Sequence, residues 1–185
     1  QLVERVLPQL VEKNVRVVAK AGGVNPHACK DALLAVIGKA GESGVKVAVV
    51  EGDDILERLD ALMQQGERFE NLDSRRPLVE IRDRVLSANV YLGAFPIAEA
   101  LGQGAQIVLT GRCTDPSLVL GPLVHEFGWT SSDHALLASG TVAGHIVECG
   151  AQCTGGKFGD WRTVPILAMV GYPIVEASHD GSFVV

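Results

Sequence analysis

Short runs of β-branched residues alternate with longer helical patterns along most of this chain, and this alternation constrains the fold more than any other feature. A strand followed by a crossover helix pairs in parallel with its neighbour. The pattern therefore predicts an α/β fold, with a mostly parallel sheet and helices on both faces in Rossmann-like layering. The predicted strands cover 15–19, 45–50, 85–91 and 105–110, and the predicted helices cover 26–39, 55–65, 97–101 and 117–127.

The pattern changes in the last third of the chain. Residues 133–147 combine small side chains with helical spacing, and residues 150–159 are rich in glycine. Two short β-prone runs, 173–177 and 182–185, flank the dipeptide Asp180-Gly181, which is a strong signal for a tight turn between antiparallel strands. We therefore predict a C-terminal β-hairpin.

The length of 185 residues fits one domain, and we predict a single α/β domain over 1–185. The chain opens inside an amphipathic pattern and stops inside a β-prone run, so we expect a fragment of a longer N-terminal domain, truncated at both ends. The formal charge of −6 opposes nucleic-acid binding. There is no signal-peptide pattern and no apolar run of about 18 residues, which favours a cytoplasmic protein without membrane spans. The four cysteines lack zinc spacing, so we expect reduced thiols and no metal site.

The four predicted strands end in loops that are rich in glycine, amide and charged side chains. In an open α/β sheet these ends lie along one edge, where ligands bind. The loops contribute Asn25, His27, Glu51, Asp53, Asn89, Tyr91, Thr110, Arg112, Thr114 and Asp115. We assign to ligand binding Gly22, Gly23, Asn25, Asn89, Tyr91, Gly111, Arg112, Thr114 and Asp115. The sequence thus predicts one polar small-molecule site at this edge.

The most informative loop covers residues 110–116. It joins a strand to a helix whose first N–H groups are free and partly positive, and Arg112 adds a bidentate guanidinium, so the loop can hold a carboxylate or phosphate. Alternatively, Thr114 or Asp115 only caps the helix while Arg112 pairs with Asp115 or a neighbouring carboxylate. The loop does not match GxxxxGK[ST], so it is not a phosphate-binding P-loop.

The loop that begins at Ala21 is similar in kind. Gly22 and Gly23 permit close approach of a ligand, while Asn25 and Pro26 suit the cap and the first position of a helix. A tight strand-to-helix turn explains the same residues equally well. The dinucleotide fingerprint GxGxxG is absent, so nucleotide-cofactor binding is weakly supported and the cofactor stays unknown.

His145, Glu148 and Cys149 share one face of the predicted helix over 133–147 and its end. Glu148 can orient His145 for proton transfer or for part of a metal site, although the motif is not HExxH. A structural pair near a buried helix end is the alternative. Cys149 and Cys153 are interpreted as inert thiols, because nucleophilic use requires a depressed pKa that sequence cannot show.

Several segments in chain order are characteristic, namely AGGVNPHAC at 21–29, KVAVVEGDD at 46–54, SANVYLGAFPIAEAL at 87–101, AQIVLTGRCTDPSLVLGP at 105–122, HEFGW at 125–129, GTVAGHIVECGAQCTGG at 140–156, DW at 160–161 and GYPIVEASHDGSFVV at 171–185. Together these segments resemble the acyclic terpene utilisation family, which is named for an operon that degrades citronellol and geraniol. The resemblance implies the middle of the family's N-terminal domain. Lys20, Cys113 and Cys153 depart from the family's usual residues, and the two cysteines therefore argue against family-wide thiol chemistry at those positions.

The resemblance also implies a role in the catabolism of branched acyl-CoA or related carboxylates, without an established reaction. We hypothesise an enzyme that acts on a small carboxylate or CoA thioester by a lyase or hydratase-type step. Arg112 would hold the anionic group, Asn25 and Asn89 would orient the substrate, and His145 with Glu148 would move the proton. The rival hypothesis is a non-catalytic ligand-binding or complex-forming subunit of the pathway. A homo-oligomer is compatible with both.

Overall fold

A computed structural model of the chain describes residues 2–21, 25–42 and 44–185. The helices are α1 (Leu2–Glu12), α2 (Pro26–Lys39), α3 (Leu59–Gln64), α4 (Phe95–Gly102), α5 (Ser117–Phe127) and α6 (His134–Cys149). The strands are β1 (Val17–Lys20), β2 (Val47–Val50), β3 (Ile107–Thr110), β4 (Glu176–Ala177) and β5 (Phe183–Val184). Short 3-10 helices cover Leu56–Arg58, Leu78–Arg84, Gly150–Gln152, Trp161–Thr163 and Leu167–Met169. None of the helices in the described ranges combines the length and apolar character needed to cross a bilayer.

The first three strands form a parallel sheet in the order β1-β3-β2. The central strand β3 is buried along its whole length, as expected for a strand covered on both faces. Thr110, its last residue, is in register with Lys20 at the end of β1 and with Val50 at the end of β2. The carboxyl ends of all three strands therefore lie level at one edge, and the loops that follow them start from the same place.

Successive residues of β3 contribute to two separate apolar clusters. Ile107 and Leu109 pack with residues of α1 and α2, whereas Val108 packs with Ile97 and Leu101 of α4. Because side chains alternate across a strand, the two clusters lie on opposite faces of the sheet. The mixed α/β class and the parallel pairing are thus confirmed, and β4 and β5 confirm the antiparallel C-terminal hairpin. Rossmann-like layering requires more than three strands and stays a prediction.

The predicted strand over 85–91 is wrong. That segment follows the 3-10 helix Leu78–Arg84 as an extended chain with only isolated bridges, which pair Asp54 with Asn89 and Leu92 with Cys113. Its backbone bonds to the loops beyond the strands, because the Val90 N–H donates to the Asp53 carbonyl at 2.8 Å. Residues 85–91 therefore form a crossing segment, which runs over the carboxyl edge of the sheet and not within it.

Helix α6 packs against α5 in the antiparallel direction. Gly140 of α6 lies beside Leu120, and Gly144, one turn later, lies against Pro116 just before α5 begins. An added Cβ at Gly144 would sit 2.7 Å from the Pro116 carbonyl oxygen, so only glycine permits this close approach. The C-terminal end of α6 consequently lies at the same end of the molecule as the carboxyl edge of the sheet.

Candidate functional site

Two adjoining clefts lie where the strand-end loops meet. The large cleft, of about 560 Å³, is lined among others by Asn25, His27, Glu51, Asp53, Ser87 and Asn89. The small cleft, of about 260 Å³, is lined by Lys20, Ala21, Thr110 and Arg112 together with three residues shared with the large cleft, namely Asp53, Asn89 and Gly111. The structure therefore brings together residues from all four of the loops, and Asp53, Asn89 and Gly111 form the wall between the clefts.

Asp53 is the central residue of that wall. Its side chain is nearly buried, at 8% exposure, and its Oδ2 accepts hydrogen bonds from Asn89 Nδ2 at 2.9 Å and from the Arg112 backbone N–H at 2.8 Å. The same carboxylate thus joins the loop after β2 to the crossing segment and to the loop after β3. Hydrogen bonds to a charged acceptor are stronger than those between neutral groups, so the Asp53 carboxylate fixes the geometry of the wall. Asp53 follows a predicted strand and was expected at this edge, but it is not among the residues predicted to bind the ligand.

Gly111 is required by the position of the Asp53 carboxylate. A Cβ added at Gly111 would lie 1.9 Å from Asp53 Oδ1 and 2.5 Å from its Cγ, distances that no side chain can occupy. The backbone of Gly111 does not adopt a positive φ, so the requirement is one of space and not of backbone conformation. The glycine of the 110–116 loop therefore makes room for a carboxylate from another loop.

Arg112 carries an exposed guanidinium at the rim of the small cleft. Its Cζ lies 5.8 Å from the centroid of the Tyr91 ring, a cation–π distance that orients the side chain. No carboxylate among the described residues pairs with it, and Asp115 is instead 3.3 Å from Lys20 Nζ. The alternative in which Arg112 is neutralised by Asp115 is thus not what the structure adopts, and the positive charge of Arg112 faces solvent at the cleft.

Three other predicted residues have local structural contacts. Asn25 caps α2, since its Oδ1 accepts the Ala28 N–H at 2.9 Å, and the residue also lines the large cleft. Thr114 bonds through its hydroxyl to Ser117 in the first turn of α5, and no side chain caps that helix. Asp115 is an exposed partner of Lys20. Gly22 and Gly23 lie outside the described residues.

A histidine–carboxylate pair that the sequence analysis missed lies at the rim of the large cleft. His27 Nε2 and Glu51 Oε2 are 2.6 Å apart, and both side chains are more than half exposed. His27 lies in the first turn of α2 and Glu51 follows β2, so their contact depends on the packing of two segments 24 residues apart in sequence. The only sequence signal was that each follows a strand end.

His145 and Glu148 lie on exposed positions near the C-terminal end of α6. No hydrogen bond joins them, and neither is among the residues that line the two clefts. Glu148 is instead 3.6 Å from the thiol of Cys149, where burial, followed by this hydrogen bond, raises the pKa of the thiol above its ordinary value. A raised pKa keeps the thiol protonated, which suits an inert cysteine. Within the described ranges, no three His, Cys, Asp or Glu side chains are arranged to hold a metal ion.

The family described as acyclic terpene utilisation family protein AtuA matches residues 1–185. No curated protein and no solved structure matches the chain significantly. Because the family match spans every residue from Gln1 to Val185, this chain belongs to the acyclic terpene utilisation AtuA family.

Proposed function

We propose that this chain provides the small-molecule site of a catabolic enzyme in acyclic terpene utilisation. The substrate is a small carboxylate or a branched acyl-CoA intermediate, and the reaction is of the lyase or hydratase type. Family membership supports the pathway, and the two clefts at the carboxyl ends of β1, β2 and β3 support a ligand site there. The substrate class rests on Arg112 at the small cleft and on what the family resemblance implies, and the reaction type is part of this proposal.

The unpaired guanidinium of Arg112 is the observation that carries this proposal. Arg112 has no acidic partner among residues 2–21, 25–42 and 44–185, and at the rim of a polar cleft it is suited to a ligand carboxylate or phosphate, which it can bind through two parallel hydrogen bonds. Asp53 lines both clefts, but the large cleft also presents the carboxylates of Glu51 and Asp54, whose negative charges disfavour an anion there. The anionic end of the substrate therefore belongs in the small cleft.

Binding to the full-length protein tests the role of Arg112. Isothermal titration with short-chain carboxylates and acyl-CoA thioesters should show that Arg112→Ala weakens binding by about tenfold to a hundredfold, the loss expected for a charge-assisted pair. Arg84→Ala is the matched control, because Arg84 is also exposed and lines neither cleft. Equal affinity in wild type and Arg112→Ala would refute the anion role.

Proton transfer has two candidate pairs, and a growth assay separates them. His27 with Glu51 lies at the large cleft with a hydrogen bond already formed, whereas His145 with Glu148 lies at the end of α6 without one. A host that lacks its own copy of the gene can be complemented with each histidine-to-asparagine variant and grown on citronellol.

His27→Asn should abolish growth if the hydrogen-bonded pair moves the proton, because general acid–base groups contribute about a hundredfold or more to rate. His145→Asn should do so if the α6 pair acts. His134→Asn, at the exposed start of α6, controls for removal of a histidine. Normal growth of both the His27 and the His145 variants would exclude the two pairs.

A non-catalytic, complex-forming role is the second candidate, and a specific surface favours it. Between α6 and the hairpin, large apolar side chains remain exposed, including Met169 at 77%, Ile174 at 80% and Tyr172 at 65%. Contiguous exposed apolar side chains are typical of partner contacts. Light scattering of the full-length protein and of a Met169→Glu, Ile174→Glu variant tests this role: an unchanged assembly state, with the same pathway proteins retained, would count against it.

A further inference from the structure

One carboxylate oxygen in the wall between the clefts has no partner in the described part of the chain. Both hydrogen bonds to the Asp53 carboxylate reach Oδ2, from Asn89 Nδ2 and from the Arg112 N–H, and none from a described residue reaches Oδ1. The residue is more than nine-tenths buried, yet no fully enclosed side-chain polar atom of the described residues lacks a partner, so Oδ1 retains some solvent access. A nearly buried charged acceptor is costly to leave without a donor.

The position of Oδ1 points to the ligand that supplies the donor. Oδ1 lies over Gly111, and Asp53 and Gly111 both line the two clefts. The backbone N–H that anchors Asp53 belongs to Arg112, the residue whose guanidinium stands at the small cleft. Because Asp53 and Arg112 line the same small cleft, a short ligand bound there by Arg112 also lies beside the Asp53 carboxylate.

We propose that this site selects hydroxylated carboxylates, as free acids or thioesters, and that Asp53 is the specificity-determining residue that accepts a hydrogen bond from the hydroxyl. The inference rests on the proposed function and adds the substrate class to it. Arg112 recognises the carboxylate of the free acid or the carbonyl oxygen of the thioester, and Asp53 Oδ1 recognises a hydroxyl on a nearby carbon.

A hydroxyl fits the available acceptors better than an ammonium group. Asp54 Oδ1 already accepts the Leu56 N–H at 3.0 Å, and Glu51 Oε2 is engaged by His27. That leaves Asp53 Oδ1 as the nearly buried acceptor of the wall. A hydroxyl has one proton to donate, whereas an ammonium group has three that all need acceptors once desolvated. The second oxygens of Glu51 and Asp54 belong to exposed side chains that water can solvate, whereas Asp53 Oδ1 belongs to a nearly buried one. Among the described cleft residues, this single nearly buried acceptor without a donor matches one hydroxyl.

The test compares matched ligands on the full-length protein. Butyrate, 2-hydroxybutyrate, 3-hydroxybutyrate and 3-aminobutyrate are titrated calorimetrically, and butyryl-CoA is compared with 3-hydroxybutyryl-CoA. In the wild type, one of the hydroxylated ligands should bind about tenfold to a hundredfold more tightly than its unsubstituted analogue, as expected for a hydrogen bond to a charged acceptor.

Asp53→Asn should remove this preference and bring the paired affinities within about threefold of each other. The asparagine keeps an oxygen for Arg112 and Asn89 but places an N–H donor where Oδ1 was. Asp54→Asn is the matched control in the same cleft and should retain the hydroxyl preference. Circular dichroism and unfolding curves show whether each variant is folded, and Asn89→Ala, which removes only one bond to Oδ2, should retain part of the preference.

The possible failures are distinguishable. If carboxylates bind through Arg112 but hydroxylated and unsubstituted ligands bind equally to the wild type, the hydroxyl inference is overturned and the proposed function stands. Tighter binding of 3-aminobutyrate than of either hydroxybutyrate would also overturn it. If none of these acids or thioesters binds, both the inference and the proposed function are overturned.

Discussion

Replacement of Gly111 by alanine is the sharpest probe of the wall between the clefts. The added methyl group would lie 1.9 Å from Asp53 Oδ1, 2.5 Å from Cγ and 2.8 Å from Oδ2, so the carboxylate must rotate away. The backbone of Gly111 is not in the left-handed region, so alanine itself is compatible with the main chain there. Any destabilisation in Gly111→Ala therefore comes from the displaced carboxylate.

The magnitude follows from the hydrogen bonds that the rotation breaks. Asp53 Oδ2 accepts one bond from Asn89 and one from the Arg112 N–H. Hydrogen bonds to charged groups contribute about 1.5–3 kcal/mol each, and water in the open clefts solvates the displaced carboxylate in part. We therefore expect Gly111→Ala to lower the free energy of unfolding by about 3 kcal/mol, towards the lower end of the combined range.

A double-mutant cycle with Asp53→Ala isolates this effect. Asp53→Ala removes the carboxylate, so Gly111→Ala should then cost almost nothing or stabilise the protein by up to about 1 kcal/mol through the lower entropy of the unfolded chain. The coupling free energy between the two positions should be about −3 kcal/mol, measured by urea unfolding of the four proteins. Effects that add within about 0.5 kcal/mol would refute the contact between Gly111 and Asp53.

Three further outcomes are expected. Hydrogen bonds from the backbone N–H and then the hydroxyl of Thr130 hold the pKa of Asp133 below its ordinary 3.8. The contribution of Asp133 to stability is therefore complete above that value and is lost as the pH falls through the folded pKa. Asp133→Asn should flatten the acid side of the stability curve measured by urea unfolding. Trp129→Phe removes the indole bond that holds the hairpin turn and should cost about 1–2 kcal/mol by the same assay. Ellman's reagent should titrate exposed Cys153 in the native protein but reach fully buried Cys113 only after unfolding.

Local signals in the chain were sufficient for most helices. Asn25 and Pro26 predict the start of α2, and the helix indeed begins at Pro26 with Asn25 as its cap. Helix α5 occupies the predicted span, and Gly128 beyond it adopts the left-handed conformation that commonly ends a helix. The Asp180-Gly181 turn joins β4 and β5 as predicted. These features depend on a few neighbouring residues, so a single sequence reveals them.

The prediction of a third strand was wrong because strand propensity does not determine which neighbouring strand a segment pairs with. Residues 85–91 have β-branched side chains, but their backbone groups bond to Asp53 and Ile55 in a loop and not to a neighbouring strand. Such pairing depends on where the segment passes in three dimensions. The error matters for function, because the same crossing segment brings Asn89 to the wall of the clefts.

The candidate site also combines features that the sequence determines with features that only the tertiary structure determines. The sequence alone places glycine, amide and arginine residues after consecutive parallel strands, and the chain order of a parallel sheet is enough to bring those loops to one edge. The tertiary structure decides which side chains meet there. Asp53 turns inward while Asp54 accepts the Leu56 N–H. The space beside Gly111 is occupied by a carboxylate 58 positions earlier in the sequence. Periodicity and capping are short-range properties that one segment encodes by itself, whereas the direction of a carboxylate is decided by the packing of loops that are distant along the chain.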